Sequence, residues 1–127
     1  MLGDSNVCAT LAVKDLAAAR RFYEDVLGLH DTIMEADYAV VYKSGDSAIQ
    51  VYPSQYAGTN QATAATWDVQ DIAAVVEDLK SKGVSFEKFD MPAEAGSWDG
   101  DVLVSENEKA AWFKDPDGNT LCVHSNN

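Results

Sequence analysis

The stretches Ala9-Thr10-Leu11-Ala12-Val13-Lys14-Asp15-Leu16-Ala17-Ala18 and Ala65-Thr66-Trp67-Asp68-Val69-Gln70-Asp71-Ile72-Ala73-Ala74 are identical at six of ten positions, at a constant offset of 56. Self-similarity at a fixed offset marks a repeated supersecondary unit, and it constrains architecture before any single element is assigned. In both copies the pattern passes from a strand-like run to a capped helix at the same point. Val7 to Val13 has the length and the small or β-branched content of a strand. Asp15 then stands where a carboxylate accepts the first free N–H groups of a helix. Leu16, Ala19, Phe22, Tyr23, Val26 and Leu27 follow at three- and four-residue steps, which predicts one apolar helical stripe ended by Gly28. In the second copy Asp71 takes the capping position, Ile72, Val75, Val76 and Leu79 form the stripe, and Gly83 ends it.

Working outward, each helix is followed by three shorter strand candidates. These are 31–34, 38–43 and 48–52 in the first half, and 84–89, 110–114 and 121–124 in the second. Each half therefore reads as βαβββ. Ser44-Gly45-Asp46 and Asp115-Pro116-Asp117-Gly118-Asn119 carry the residues that tight turns need. The expected organisation is one domain, 1–127, of two modules at about 1–52 and 63–127 joined by a linker at 53–62. Residues 90–108 read as a long acidic loop carrying Trp98, and loops of that length are often lids or binding segments.

Composition narrows the function. The 127 residues are 46% hydrophobic and 24% charged, a balance that fills a core, and the net charge of -12 repels phosphate backbones and anionic headgroups. Nucleic acid and membrane are thus poor partners. No apolar run approaches the roughly 20 residues that span a bilayer, and the start of the chain has no leader-like pattern, so a cytoplasmic location is expected. Cys8 and Cys122 are too few for a disulfide framework and are expected to be reduced.

Val13-Lys14-Asp15-Leu16, Arg21-Phe22-Tyr23-Glu24-Asp25-Val26-Leu27-Gly28-Leu29 and Trp112-Phe113-Lys114-Asp115-Pro116-Asp117-Gly118-Asn119, in this order and with the repeat between them, resemble the vicinal oxygen chelate superfamily. This is the glyoxalase, bleomycin-resistance and extradiol dioxygenase group. The resemblance covers nearly the whole chain. It implies an α+β fold in which two βαβββ modules form a curved mixed sheet, an open barrel around a cavity with helices outside, often completed in a homodimer. It does not imply one reaction, because sites rather than folds carry function. The group's metal enzymes place His or Glu ligands on the first, fourth, fifth and eighth strands, and alignment puts Cys8, Gln50, Ala64 and Cys122 there. None of these is a carboxylate or imidazole, so no metal or other cofactor is expected.

Strand alternation selects the residues that face a cavity. Val7, Ala9, Leu11 and Val13 form a packing face, leaving Cys8 and Thr10 inward. Ile49 and Val51 pack, leaving Ala48, Gln50 and Tyr52; Leu121 and Val123 pack, leaving Cys122 and His124. Ala64 and Thr66 share the inward parity of the fifth strand, and Trp112 that of the seventh. The expected ligand-binding set is Cys8, Thr10, Gln50, Tyr52, Thr66, Trp98, Trp112, Cys122 and His124. Catalytic candidates are limited to Cys122, with His124 on its own strand face, and His124 as a base. The leading expectation is a binder of a small apolar or aromatic molecule without a metal, with a cationic one admitted by the acidic surplus. The alternatives are a lyase, isomerase or dioxygenase-type enzyme with an atypical divalent-metal or thiol site, and a module that serves only to dimerise.

Overall fold

A computed structural model describes residues 1–126. The fold is α+β, with two sheets of mixed strands and few helices. The chain divides into two compact units: Met1–Ala64 with Asp115–Asn119, and Ala65–Lys114 with the residues from Thr120 on.

The first unit runs β1 (Ala9–Val13), α1 (Leu16–Arg20), β2 (Thr32–Ala36), β3 (Ala39–Ser44) and β4 (Ser47–Pro53). The sheet order is β1-β4-β3-β2, with β1 parallel to β4 and the other pairs antiparallel. Leu11 pairs with Val51, and Tyr42 pairs with Ile49. These four side chains are buried with Val13, Val40, Ala19 and Tyr23 on the face that α1 covers. The opposite parity of β4, Ala48, Gln50 and Tyr52, is only half-buried, as alternation predicts. Asp15 caps α1 by accepting from the Ala17 and Ala18 amides at 2.9 and 3.3 Å.

Two expectations for this unit need correction. Val7 is not in β1 and is 88% exposed. The helix expected to run unbroken to Leu27 is α-helical only to Arg20 and widens into a π turn at Arg21–Val26, with the Leu27 amide donating to the Phe22 carbonyl. Apolar steps of three and four residues do not register one widened turn. Tyr23, fully buried in that turn, donates its hydroxyl to Asp115 at 2.7 Å.

The second unit contains most of β5 (Thr63–Asp68), then α2 (Ile72–Ser81), β6 (Phe86–Glu87), β7 (Ser97–Asp99), β8 (Val102–Val104), β9 (Glu108–Lys114) and β10 (Thr120–Asn126). Asp71 caps α2 through the Ala74 amide at 3.1 Å, repeating the device of Asp15. The sheet order is β5-β10-β9-β8-β7, and β6 also pairs with β9. Ala111, Phe113, Leu121 and Val123 are buried on the face toward α2. Residues 90–108, expected as a loop, hold a β7–β8 hairpin. The strand expected at 84–89 shortens to two residues, because β8 takes the part of the β9 edge at Lys109 and Ala110 while β6 takes Trp112 and Phe113. Gly96 enters the hairpin at φ +130°, where an added Cβ would collide with the Val104 carbonyl.

Asp115–Asn119, the turn between β9 and β10, belongs to the first unit. The Asp115 carboxylate is 5% exposed and accepts four hydrogen bonds: from Tyr23 Oη, the Asp117 and Asn119 amides, and Asn119 Nδ2, all between 2.7 and 2.9 Å. Asn119 Nδ2 also donates to the Ala12 carbonyl at 2.8 Å, and Asp117 Oδ1 accepts from the Lys14 amide at 3.1 Å. Gly58, at φ +77°, lies so close that an added Cβ would stand 2.6 Å from the Asp117 carbonyl oxygen. Burial, then the charge of Asp115, pushes the Tyr23 hydroxyl far above its usual range, so it remains a donor. Tyr23→Phe is therefore expected to cost about 1.5–3 kcal/mol, read from the urea midpoint, and Asp115→Ala more, because several buried donors lose their acceptor. An unchanged midpoint for Tyr23→Phe would remove the central role given to this bond.

Candidate functional site

The open sheet face of the second unit gathers four of the expected residues. Cys122 of β10 pairs with Trp112 of β9, its buried thiol stands 3.5 Å from the Val123 carbonyl, and Thr66 of β5 lies beside that thiol. Trp112 is half-buried and contacts two further rings edge-on. Phe89 stands 5.7 Å away between centroids and Trp98, carried on β7, stands 6.1 Å away. Lys88 lies over the Trp98 ring with its ammonium 6.0 Å from the centroid. Phe89 is 38% exposed, so part of this aromatic surface meets solvent.

His124, two residues along β10, has both ring nitrogens engaged: Nδ1 lies 2.9 Å from Asp68 and Nε2 lies 2.9 Å from Glu108. Hydrogen bonds to Glu108 and then to Asp68 raise its pKa, which favours an imidazolium that donates from both nitrogens. A ring held this way is a poorly placed base. Burial pushes the Cys122 thiol up, which disfavours the thiolate that nucleophilic chemistry needs. Cys122 and His124 share a strand face, but the thiol stands 3.5 Å from the Val123 carbonyl and two carboxylates hold the ring.

Asp68 and Glu108 were not among the expected site residues, yet the signal was present. Asp68 follows Thr66 by two positions, and Glu108 precedes Ala110 and Trp112 by two and four, the same inward parity. Glu108 and Asp101 both fall in the stretch 90–108 expected as an acidic loop. Instead Glu108 starts β9 and holds His124, and Asp101 pairs with Lys80 at 2.8 Å.

In the first unit, Thr10 pairs with Gln50, which in turn pairs with Val41, and Tyr52 lies on the same parity. Cys8 is half-buried, and its sulfur stands 3.9 Å from Thr10 Oγ1. Cys8 also lines a groove of about 700 Å³ with Val7, Ile33, Lys43 and Ala48. Lys43 is a basic residue that lines the same groove as this thiol. Both cysteines are free.

The metal that the resemblance implies can be tested against the donor set alone. Thiol, amide, methyl and thiol stand at Cys8, Gln50, Ala64 and Cys122. One of these thiols, Cys122, is buried. This set does not fit the hard or borderline ions that imidazole and carboxylate ligate. Among the described residues, no three or more His, Cys, Asp or Glu side chains converge into another metal-binding group.

With these geometries established, comparison with known proteins defines the class. The family described as Glyoxalase/Bleomycin resistance protein/Dioxygenase superfamily matches residues 6–123. The chain belongs to that superfamily. Its structure is similar to lactoylglutathione lyase from Agrobacterium tumefaciens, at 17% identity and a TM-score of 0.69, covering 95% of this chain and 93% of that one. It is also similar to an antibiotic-binding protein from Streptomyces sp., at 17% identity and a TM-score of 0.64, covering 98% of each chain. A fosfomycin resistance protein from Listeria monocytogenes, crystallised with Mn(II) and sulfate, matches at 14% identity and a TM-score of 0.71, covering 98% of this chain and 91% of that one. At these identities the likeness shows the fold alone. No curated protein matches the sequence. Among the described residues, no helix is long and apolar enough to cross a membrane.

The His124 clamp has a pH signature. Its native pKa lies above the ordinary 6.5, so its stabilisation is full below about that pH and is lost as pH rises through the raised native value. Asp68 is 89% and Glu108 58% exposed, which limits the effect to about 1 kcal/mol or less. His124→Gln is expected to lower the Tm at mildly acidic pH, with the gap to the parent closing as the solution becomes alkaline. A gap of constant size across that range would contradict the clamp.

Proposed function

We propose that this chain binds a small apolar or aromatic molecule without a metal, and that the Trp112 face of the second unit is the principal contact surface. The observation that carries this reading is the contact of three rings, Phe89, Trp112 and Trp98, on an open sheet face. Aromatic side chains supply large, rigid contact area, and offset or edge-on packing leaves ring faces for a flat guest. Thr66 and Cys122 add small polar groups beside that surface. Thr10, Gln50 and Tyr52 offer hydroxyl and amide chemistry on the half-open face of the first unit by itself. The name of one structural neighbour, an antibiotic-binding protein, is consistent with a role in ligand capture.

The enzyme reading has less support. The thiol is disfavoured as a thiolate, both imidazole nitrogens are occupied, and the donor set does not suit the family's ions. Association of two copies remains part of the proposal. Val7 and Ile33, 88% and 60% exposed beside the first unit's groove, are apolar surface that a second copy would cover.

Quinoline provides a flat probe for this reading, followed by quenching of tryptophan fluorescence in excess EDTA. Binding is expected to persist in the chelator and to weaken about tenfold or more in Trp112→Ala. Binding that appears only when a divalent metal is added, or that Trp112→Ala leaves intact, would overturn the reading.

A further inference from the structure

The aromatic face also carries a charge that neutral binding does not use. Glu87 of β6 pairs with Trp112 of β9. Residues directly opposite in an antiparallel ladder present their side chains on the same face, with Cβ atoms about 5 Å apart. The Glu87 side chain therefore stands beside the Trp112 ring. It is half-buried, and among the described residues it makes no hydrogen bond or ion pair. A carboxylate beside a ring and without a partner is a counter-charge that a bound cation would meet. The acids on the neighbouring strands are differently placed, since Asp68 and Glu108 are both committed to His124.

A second observation concerns the adjacent residue. Lys88 does not pair with Glu87; its ammonium rests over Trp98 instead. The negative face of an indole ring attracts cations, and the preference strengthens where water is excluded. The chain thus already seats a tethered cation on this aromatic surface while the neighbouring carboxylate is left without one. The net charge of -12 adds a long-range attraction for positively charged molecules.

We propose that this face selects a planar organic cation: a heteroaromatic ring with a quaternary or protonated nitrogen, stacked against Trp112, its charge met by Glu87. Lys88 gives up the Trp98 ring as the guest enters. This rests on the reading that the Trp112 face is the binding surface, and it adds the charge class of the ligand and the residue that sets it.

The test compares two probes of nearly the same shape, N-methylquinolinium chloride and quinoline, at mildly alkaline pH where quinoline is uncharged. Tryptophan fluorescence of the full chain is followed at low ionic strength. N-methylquinolinium is expected to bind about tenfold more tightly than quinoline, and Glu87→Gln to abolish that preference while quinoline affinity stays within about twofold. Lys88→Met should tighten the cation several-fold, because its internal competitor is gone. Should Glu87→Gln fail to fold, Glu87→Asp keeps the charge but withdraws it from the ring, and a several-fold weaker cation is expected. If both probes bind alike, or if the preference survives both Glu87 variants, the cation site is overturned while the binding face stands, provided Trp112→Ala weakens both. If neither probe binds, or Trp112→Ala affects neither, the binding face falls with it.

Discussion

A carboxylate in a protein interior is tolerated only when its lone pairs are met, and Asp115 meets this condition with four donors inside one short turn. Two of those donors are turn amides, one is the Asn119 amide side chain, and one is the Tyr23 hydroxyl. The consequence reaches beyond the turn. Through Asn119 and Asp117 the same cluster satisfies the Ala12 carbonyl and the Lys14 amide, just where β1 ends and the Asp15 cap of α1 begins. Tyr23 in turn fixes the helix at its π turn. One buried charge thus sets where a strand stops, how a helix starts and which face that helix presents.

What could be read from the sequence was local and periodic. The offset repeat, the paired Asp caps and the alternation on β1, β4, β9 and β10 depend on neighbours within a few positions, and the sequence states these directly. The π turn is not legible because the contact made from it, Tyr23 bonded to a residue 92 positions away, is not local. The β7–β8 hairpin was missed for a different reason. Its strands are three residues each, too short for alternation to register, and the acidic composition of 90–108 suggested solvent. Asp99-Gly100, with Gly100 at φ +61°, was the turn signal that composition masked.

The site was partly legible in the same sense. Alternation puts Cys122, His124 and Trp112 on one parity of their strands, where Cys122 is buried and the other two are half-buried, but parity does not say what a side chain touches. The partners of His124 come from the first residue of one strand and the last of another, positions where sequence assignment of strand ends is weakest. Once both acids close on the ring, a residue read as a base is biased toward the imidazolium and held between two carboxylates. Glu87 escaped notice for a similar reason, since only the short β6 pairing places it beside Trp112.

The divided edge of β9 separates what is inherited from what is exchangeable. Trp112 sits on a long strand with neighbours on both sides, whereas Trp98 sits on a hairpin with no counterpart in the first unit and only two register pairs to that strand. A hairpin attached so lightly is a place where length and sequence can drift over evolutionary time without disturbing the ladder beneath it. Half of the aromatic surface is therefore anchored and half is replaceable. Descendants of such a chain can change the chemistry of this face by rebuilding the hairpin alone, leaving the folding pattern of the rest untouched.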